Sequence, residues 1–192
     1  ATAFVGWYNA HPDYRDWEFA LDREVAVVIG VGNVAMDVAR VLAKTVDELK
    51  HTDMAQHALD ALSESKVREI HVVGRRGPAQ AKFTAKELKE LGQLADCEPV
   101  VNPDDLELNS ASQEEMSDAG RRRNLELLHD FADRPPSADK HKRLHFHFLR
   151  SPKEIRGAGR VESIVLEKNR LDGYAFEQRC VGLSAELGRV VG

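Results

Sequence analysis

The first strong pattern along the chain is a run of five apolar, mostly β-branched residues at positions 25–29. Such a run is typical of a strand that is buried on both faces, as in a parallel sheet. A glycine-containing turn follows at 30–35, and apolar residues at 34, 38, 41 and 42 then recur at helical spacing. Strand, glycine turn and helix together predict the first half of a β-α-β unit.

A second strand is predicted at 69–73, after a helix that Asp53 and Gln56 would open as a capping box. This strand runs into a Gly-Arg-Arg-Gly-Pro turn at 74–78, where Gly-Pro stops regular structure. Thr84 and Glu87 have capping-box spacing and predict a third helix. The apolar pattern further predicts a short strand at 98–101 and a helix around 121–131.

The last part of the chain has a different pattern. Three strand-like runs, at 144–149, 161–168 and 174–180, are separated by turns at 157–159 and 172–173. Because such connections are short, they predict antiparallel pairing. The fold class is therefore α/β, a Rossmann-like parallel sheet with helices on its faces and a late antiparallel β excursion.

Two segments between these elements are predicted to be irregular. Residues 102–120 carry six carboxylates and neither Lys nor Arg, which is typical of a solvated loop and helix end. Residues 133–142 contain Pro135 and Pro136, and we expect them to form an internal mobile loop.

Composition narrows the class of protein. The chain has 192 residues, of which 42% are hydrophobic and 31% charged, as in an ordinary globular domain with its own core. The net charge of −5 disfavours a nucleic-acid binder, and no apolar run approaches the roughly 18 residues of a membrane span. Cys97 and Cys180 lie far apart without CxxC spacing, which favours reduced thiols. We therefore expect a cytoplasmic protein that binds neither membrane nor nucleic acid.

The glycine turn has the residue types that a pyrophosphate site requires. Gly30 permits the tight turn, Gly32 lets the backbone approach the ligand, and Ala35 is small enough for close packing of helix on strand. The helix N-terminus would then present free N–H groups and a partial positive charge to the anion. The GxGxxA pattern is weak evidence by itself, because a tight turn without a ligand has the same requirements.

The end of the second strand distinguishes between the two nicotinamide cofactors. Sites for NAD usually place Asp or Glu there, where the carboxylate accepts a hydrogen bond from the ribose 2′-hydroxyl. This chain has Arg75 and Arg76 instead, and guanidinium groups pair with phosphate oxygens in a bidentate manner. Their position in the β-α-β order favours an NADP site over two solvent-facing arginines.

One further pair of side chains suggests a metal site. His145 and His147 lie two residues apart, on one face of a predicted strand, a spacing that suits metal ligands. No third ligand is evident from the sequence, and we therefore expect no metal site.

Four motifs occur in order along the chain: residues 4–9 (FVGWYN), 32–40 (GNVAMDVAR), 73–78 (VGRRGP) and 83–88 (FTAKEL). Together they resemble the NADP-binding domain of adrenodoxin-reductase-type ferredoxin–NADP reductases. The match covers most of the first hundred residues, whereas the tail resembles the family only loosely, through residues 148–152 (FLRSP).

The resemblance implies that residues 1–192 are a single NADP(H)-binding domain of a larger flavoprotein. The residues that it places along the pyrophosphate are Gly32, Asn33, Val34 and Ala35. It implies that Arg75 and Arg76 hold the 2′-phosphate. It also brings Glu87 to the cofactor, although the capping box with Thr84 explains this residue equally well.

The resemblance also implies an activity. In this family hydride passes between NADPH and FAD, and single electrons then pass to a ferredoxin-like iron–sulfur protein. A second glycine-rich turn for FAD is not found in the sequence. We therefore expect FAD on a partner domain of the same protein, no catalytic residue in this chain and no activity of the chain alone.

Several alternatives remain open. A glutamate-synthase-type flavoprotein subunit has a similar NADP-binding domain but passes electrons to a different partner. A non-catalytic NADP-sensing module would fold alone and change its affinity for a partner when NADPH binds. An RNA-binding domain that used the arginines at 75–76 and 121–123 is disfavoured by the acidic balance and by the lack of an aromatic stacking motif.

Overall fold

The structure of the chain, a computed structural model, describes residues 1–135 and 137–191, with residues 184–191 described by their backbone alone. Its strands are Val25–Ile29 (β1), Glu69–Val73 (β2), Cys97–Val101 (β3), Lys142–His147 (β4), Arg150–Arg156 (β5), Ser163–Asp172 (β6) and Arg179–Val191 (β7). Its α-helices are Thr2–Tyr8 (α1), Asn33–Ala43 (α2), Val46–Leu49 (α3), Gln56–Ser63 (α4), Ala85–Leu91 (α5), Ser110–Glu114 (α6) and Ala119–Ala132 (α7). Short 3-10 helices lie at Pro78–Gln80, Pro103–Leu106 and Glu115–Ser117. None of the described helices is both long and apolar enough to cross a membrane.

The main sheet is parallel and has the strand order β1-β2-β4-β3. Its register pairs Ile29 with Val73 and Val73 with His147. Because these residues are the last of β1, β2 and β4, the three strands end at the same edge of the sheet. The glycine turn after β1 and the arginine turn after β2 therefore lie side by side.

The principal core lies between the sheet and the helices. Leu88 of α5 and Leu128 of α7 are fully buried there, and the apolar side of α2 packs against the same core. The side chains that the sheet contributes include Val28, Ile70, Val72, Leu144 and Phe146. Burying each large aliphatic side chain contributes about 1.5–3 kcal/mol, so this layer holds the helices, and α2 in particular, in place on the strands.

The antiparallel sheet covers one end of the other face of the parallel sheet, the face turned away from the helices. It has the order β5-β6-β7, and Ile164 and Leu166 of β6 pack against Val73 of the parallel sheet, with Val25 and Val27 beside them. The α/β class and the antiparallel excursion are thus confirmed. Beyond this contact, the face carries polar side chains of β2 and β4.

The strands of the last part of the chain differ from the prediction. The run at 144–149 does not pair in the excursion, since β4 is parallel and lies between β2 and β3. Its alternating pattern arises because one face packs on the helices and the other is polar. The first excursion strand, Arg150–Arg156, was not predicted, because it is an exposed, charged edge strand without apolar alternation. Residues 174–178 form no strand, with a turn at 175–176, and β7 begins at Arg179.

The helix that was predicted to open at Asp53 also begins differently. The capping box predicted for Asp53 and Gln56 is wrong, because α4 begins at Gln56 itself without a side-chain cap. An unpredicted capping box opens the short helix α3, where Thr45 Oγ1 accepts from the Glu48 N–H and Glu48 Oε2 accepts from the Thr45 N–H. The capping box in this part of the chain is therefore formed by Thr45 and Glu48, ahead of the predicted position at Asp53 and Gln56.

The acidic segment at 102–120 is not wholly solvated, contrary to the prediction. Asp105 and Glu115 are buried. Asp105 Oδ1 lies 3.2 Å from the guanidinium of Arg150, and Glu115 pairs with Arg121. Burial raises the pKa of the Asp105 carboxyl, while Arg150 opposes that shift. Both partner cations lie outside the 102–120 segment, Arg121 just after it and Arg150 much later in the chain, so the composition of the segment did not reveal the two buried positions.

The connector at 133–142 contacts the start of β3. Lys140 Nζ donates to the carbonyls of Leu94 and Cys97 at 2.9 and 3.1 Å. Glu98 Oε2 accepts from the backbone N–H of Ser137 at 2.7 Å. Pro136 lies outside the described residues, and the mobility of this loop stays a prediction.

The placement of α5 can be tested by shortening a core side chain. Leu88→Ala should lower the free energy of unfolding by about 2–5 kcal/mol, because it leaves a cavity beneath a fully buried position. Chemical denaturation measures this loss. Lys89→Ala, an exposed position of the same helix, should change the free energy of unfolding by less than about 0.5 kcal/mol. Equal losses for the two variants would contradict the placement.

Candidate functional site

The turn after β1 leaves open space at the start of α2. Gly30 has a φ of +128°, a backbone conformation that side chains rarely permit. A Cβ placed on Gly32, the N-cap of α2, would meet no described atom within 4 Å. Among the described side chains none caps this helix, so its first N–H groups are available to an anion. Val34, which follows in the first turn, is 52% exposed.

The arginine turn lies directly against the glycine turn. The Gly30 N–H donates to the carbonyl of Val73 at 2.8 Å. A Cβ on Gly74 would lie only 2.7 Å from Cγ1 of Val31, so a larger residue there would push the two turns apart or displace the Val31 side chain. Glycine at position 74 therefore allows the two turns to touch, which explains in physical terms why the arginines follow a glycine.

Arg75 and Arg76 place two positive charges at this edge of the sheet. Arg75 is exposed and Arg76 is half-buried. Among the side chains that the structure describes, no carboxylate pairs with either guanidinium, whereas Arg121 and Arg150 both pair with buried carboxylates. Two adjacent guanidinium groups of this kind suit a compact dianion such as a phosphate monoester.

The antiparallel sheet holds the backbone of the arginine turn. Asn169 is almost fully buried, and its Nδ2 donates to the Arg75 carbonyl at 2.9 Å and to Ser151 Oγ at 2.8 Å. Cys180 Sγ donates to the same carbonyl at 3.2 Å, and the cysteine is a free thiol. Asn169 was missed by sequence reasoning, because its contact depends on a register shift in β6 between Glu167 and Asn169.

Glu87 and the nearby Glu90 both have structural partners. Glu87 Oε2 accepts from the Thr84 N–H at 2.6 Å, and Thr84 Oγ1 accepts from the Glu87 N–H at 3.3 Å, so the predicted capping box is confirmed. Glu90 pairs with Arg40 at 2.8 Å, and Arg40 also binds Asp37 at 2.6 Å. This network joins α2 to α5, and a contact of Glu87 with a cofactor stays a prediction.

A second group of polar side chains lies on the open face of the parallel sheet. His145 and His147 share this face of β4, as predicted, and His71 of β2 stacks on both rings, with centroids 4.6 and 5.1 Å away. His71 Nδ1 lies 2.8 Å from His147 Nε2, and His145 Nε2 lies 2.5 Å from Glu69 Oε2. Burial lowers the pKa of His71 and of His147 to about 4. The sequence did not reveal His71 and Glu69 as neighbours, because only the pairing of β2 with β4 brings them there.

Comparison with known proteins gives relatives over nearly the whole chain, although no family model matches it. NADPH-ferredoxin reductase FprA of Mycobacterium tuberculosis is 46% identical over 173 residues, which cover 89% of this chain and 37% of that protein. FprA of Mycobacterium leprae is 46% identical over 192 residues, with 97% and 41% covered. The mitochondrial NADPH:adrenodoxin oxidoreductase of Arabidopsis thaliana is 41% identical over 181 residues, with 90% and 38% covered.

The fold agrees with these relatives. The solved structure of Mycobacterium tuberculosis FprA in complex with NADPH matches the chain with a TM-score of 0.90 at 40% identity, and the match covers 98% of this chain and 41% of that one. The chain thus spans about two fifths of the length of the relatives that it matches. It corresponds to one segment of the adrenodoxin-reductase-type ferredoxin reductases, the family that its four motifs resemble.

Proposed function

We propose that the chain is the NADP(H)-binding domain of a ferredoxin–NADP reductase. The observation that carries this proposal is the contact between the glycine turn, which leads into the open N-terminus of α2, and the turn that carries Arg75 and Arg76. One of these features suits a pyrophosphate and the other suits a 2′-phosphate. The two features follow adjacent strands, β1 and β2. A dinucleotide lies across the ends of a parallel sheet in the same way.

Each part of the cofactor has a group of residues that fits it. The pyrophosphate would lie on the backbone at the start of α2, where Gly30 forms the turn and the contacting residues are Gly32, Asn33, Val34 and Ala35. The 2′-phosphate would lie between Arg75 and Arg76. Glu87 stands at the start of α5 and would contact the cofactor only in addition to its capping bonds.

The chain would bind and orient the cofactor, and no residue of it is assigned a catalytic role. When bound, NADPH supplies a hydride to FAD, which a different domain of the same protein would hold. We therefore infer that the isolated chain is inactive. The greater length of the relatives and their names, which include ferredoxin and adrenodoxin, support a separate flavin domain and an iron–sulfur partner. The cytoplasmic location stays a prediction.

The 2′-phosphate assignment is tested by removing both guanidinium groups. The double variant R75A/R76A should bind NADP at least tenfold more weakly, a loss of about 1.4 kcal/mol, because the dianion loses its bidentate partners. NAD binding should be nearly unchanged in the same calorimetric titration. The variant R15A/R160A removes the same charge from two side chains that are each 63% exposed, and it should bind NADP as the unaltered chain does. Equal losses of affinity for NADP and NAD in R75A/R76A would contradict the assignment.

The pyrophosphate assignment is tested by filling the space above Gly32. Its φ of −110° and ψ of 174° suit any residue, so Gly32→Ala should lower the free energy of unfolding by only about 1 kcal/mol, because alanine is a poorer N-cap than glycine. The added methyl group would occupy the place of the pyrophosphate, and binding of NADP and of NAD should fall to the same extent, by at least about tenfold. Unchanged affinity for both cofactors would show that the ligand does not lie there.

The role of the antiparallel sheet is tested at Asn169. Asn169→Leu keeps the side-chain size but removes the amide donor, so the Arg75 carbonyl keeps only the weaker Cys180 Sγ donor, and the lost hydrogen bond costs about 0.5–1.5 kcal/mol. We expect the ratio of NADP to NAD affinity to fall several-fold, because the arginine turn loses its support while the glycine turn keeps its own. Arg170→Ala, the exposed neighbour on β6, serves as the control. An unchanged affinity ratio in Asn169→Leu would mean that the turn holds its shape without this bond.

A further inference from the structure

Four side chains on the open face of the parallel sheet, Glu69, His71, His145 and His147, form a compact group that we call the histidine cluster. One ligand atom each from Glu69, His71 and His145 lies within 4.8 Å of the other two. His71 and His145 are paired directly across β2 and β4. Because the ligands stand on two adjacent strands of a sheet, their spacing is held by the backbone hydrogen bonds between those strands.

We propose that the histidine cluster binds a divalent transition-metal ion of the zinc type, with Glu69, His71 and His145 as its ligands. The proposal concerns a different face of the sheet from the nucleotide site and does not depend on it. Two imidazole nitrogens and one carboxylate oxygen form the ligand set of many zinc sites, which keep a fourth position for water. Nitrogen-rich sets of this kind select zinc, cobalt, nickel or copper over magnesium or calcium.

His147 supplies the support that a metal-binding histidine requires. Its Nε2 lies 2.8 Å from Nδ1 of His71, and the two rings are stacked. Ligating histidines usually bond through their second nitrogen to a neighbouring group, which fixes the orientation of the ring. His147 is therefore a positioning residue for His71, and its role explains why the cluster contains a fourth member.

The cations around the cluster are bound to other groups. The guanidinium of Arg143, which the strand register places opposite Glu69, donates to the carbonyls of Ser137 and Lys140. Arg150, which lies near His147, pairs with the buried Asp105. The Glu69 carboxylate has His145 as its bonded partner, and a metal ion bound by both side chains would replace this contact.

The test is a calorimetric titration of the full chain with zinc chloride in the absence of nucleotide. We expect the unaltered chain to bind a single zinc ion, and His145→Ala and Glu69→Gln each to weaken that binding at least about tenfold. His141→Ala is the matched control, since His141 forms a 2.7 Å pair with Asp96 next to β4 but is 73% exposed and has no place in the cluster. It should bind zinc as the unaltered chain does.

A second measurement keeps the result independent of folding defects. Zinc should raise the melting temperature of the unaltered chain and of His141→Ala to the same extent, and that of Glu69→Gln, which preserves the size of the side chain, by less. Cobalt(II) in place of zinc should give visible absorption typical of low-coordinate nitrogen and oxygen ligation, which Glu69→Gln abolishes. Absence of zinc binding by the unaltered chain, or equal affinity in all variants, would overturn the proposal and leave the nucleotide site unaffected.

Discussion

The contact between two turns at one edge of the parallel sheet determines the geometry of the candidate nucleotide site. Gly74 approaches Val31 so closely that an added Cβ would lie 2.7 Å from its side chain, and the Gly30 N–H bonds to the carbonyl of Val73. These contacts hold the start of α2 and the two arginines side by side, just beyond the ends of the neighbouring strands β1 and β2. An anion at the helix and an anion at the guanidinium groups are then separated by a distance that the sheet itself imposes.

Two layers hold this edge from opposite sides. The helices bury their apolar faces on one side of the sheet and fix α2, while β6 packs on the other side through Ile164 and Leu166. The excursion also reaches the arginine turn, where Asn169 and Cys180 bond to the Arg75 carbonyl. The excursion therefore supports the backbone of the turn that carries the two arginines of the proposed site.

The elements that the sequence predicts well are those with local signals. The apolar run at Val25–Ile29, the glycine turn and the Thr84 capping box depend on residues close together in the chain, and all are present. The position of β4 between β2 and β3 depends on strand order, which local patterns do not contain. The contact of His71 with His145 follows from that order, so the sequence did not predict Glu69 and His71 as members of the cluster. Asn169 depends on a register shift and carries no sequence signal of its own.

The central claim is that the arginine turn recognises a phosphate on the 2′ position of a nucleotide, and one measurement tests it without flavin or nicotinamide. The chain would be titrated calorimetrically with adenosine 2′,5′-bisphosphate and, separately, with adenosine 5′-monophosphate. We predict that the bisphosphate binds at least tenfold more tightly, a difference of about 1.4 kcal/mol. Equal affinity for the two nucleotides, or binding of neither, would contradict the account.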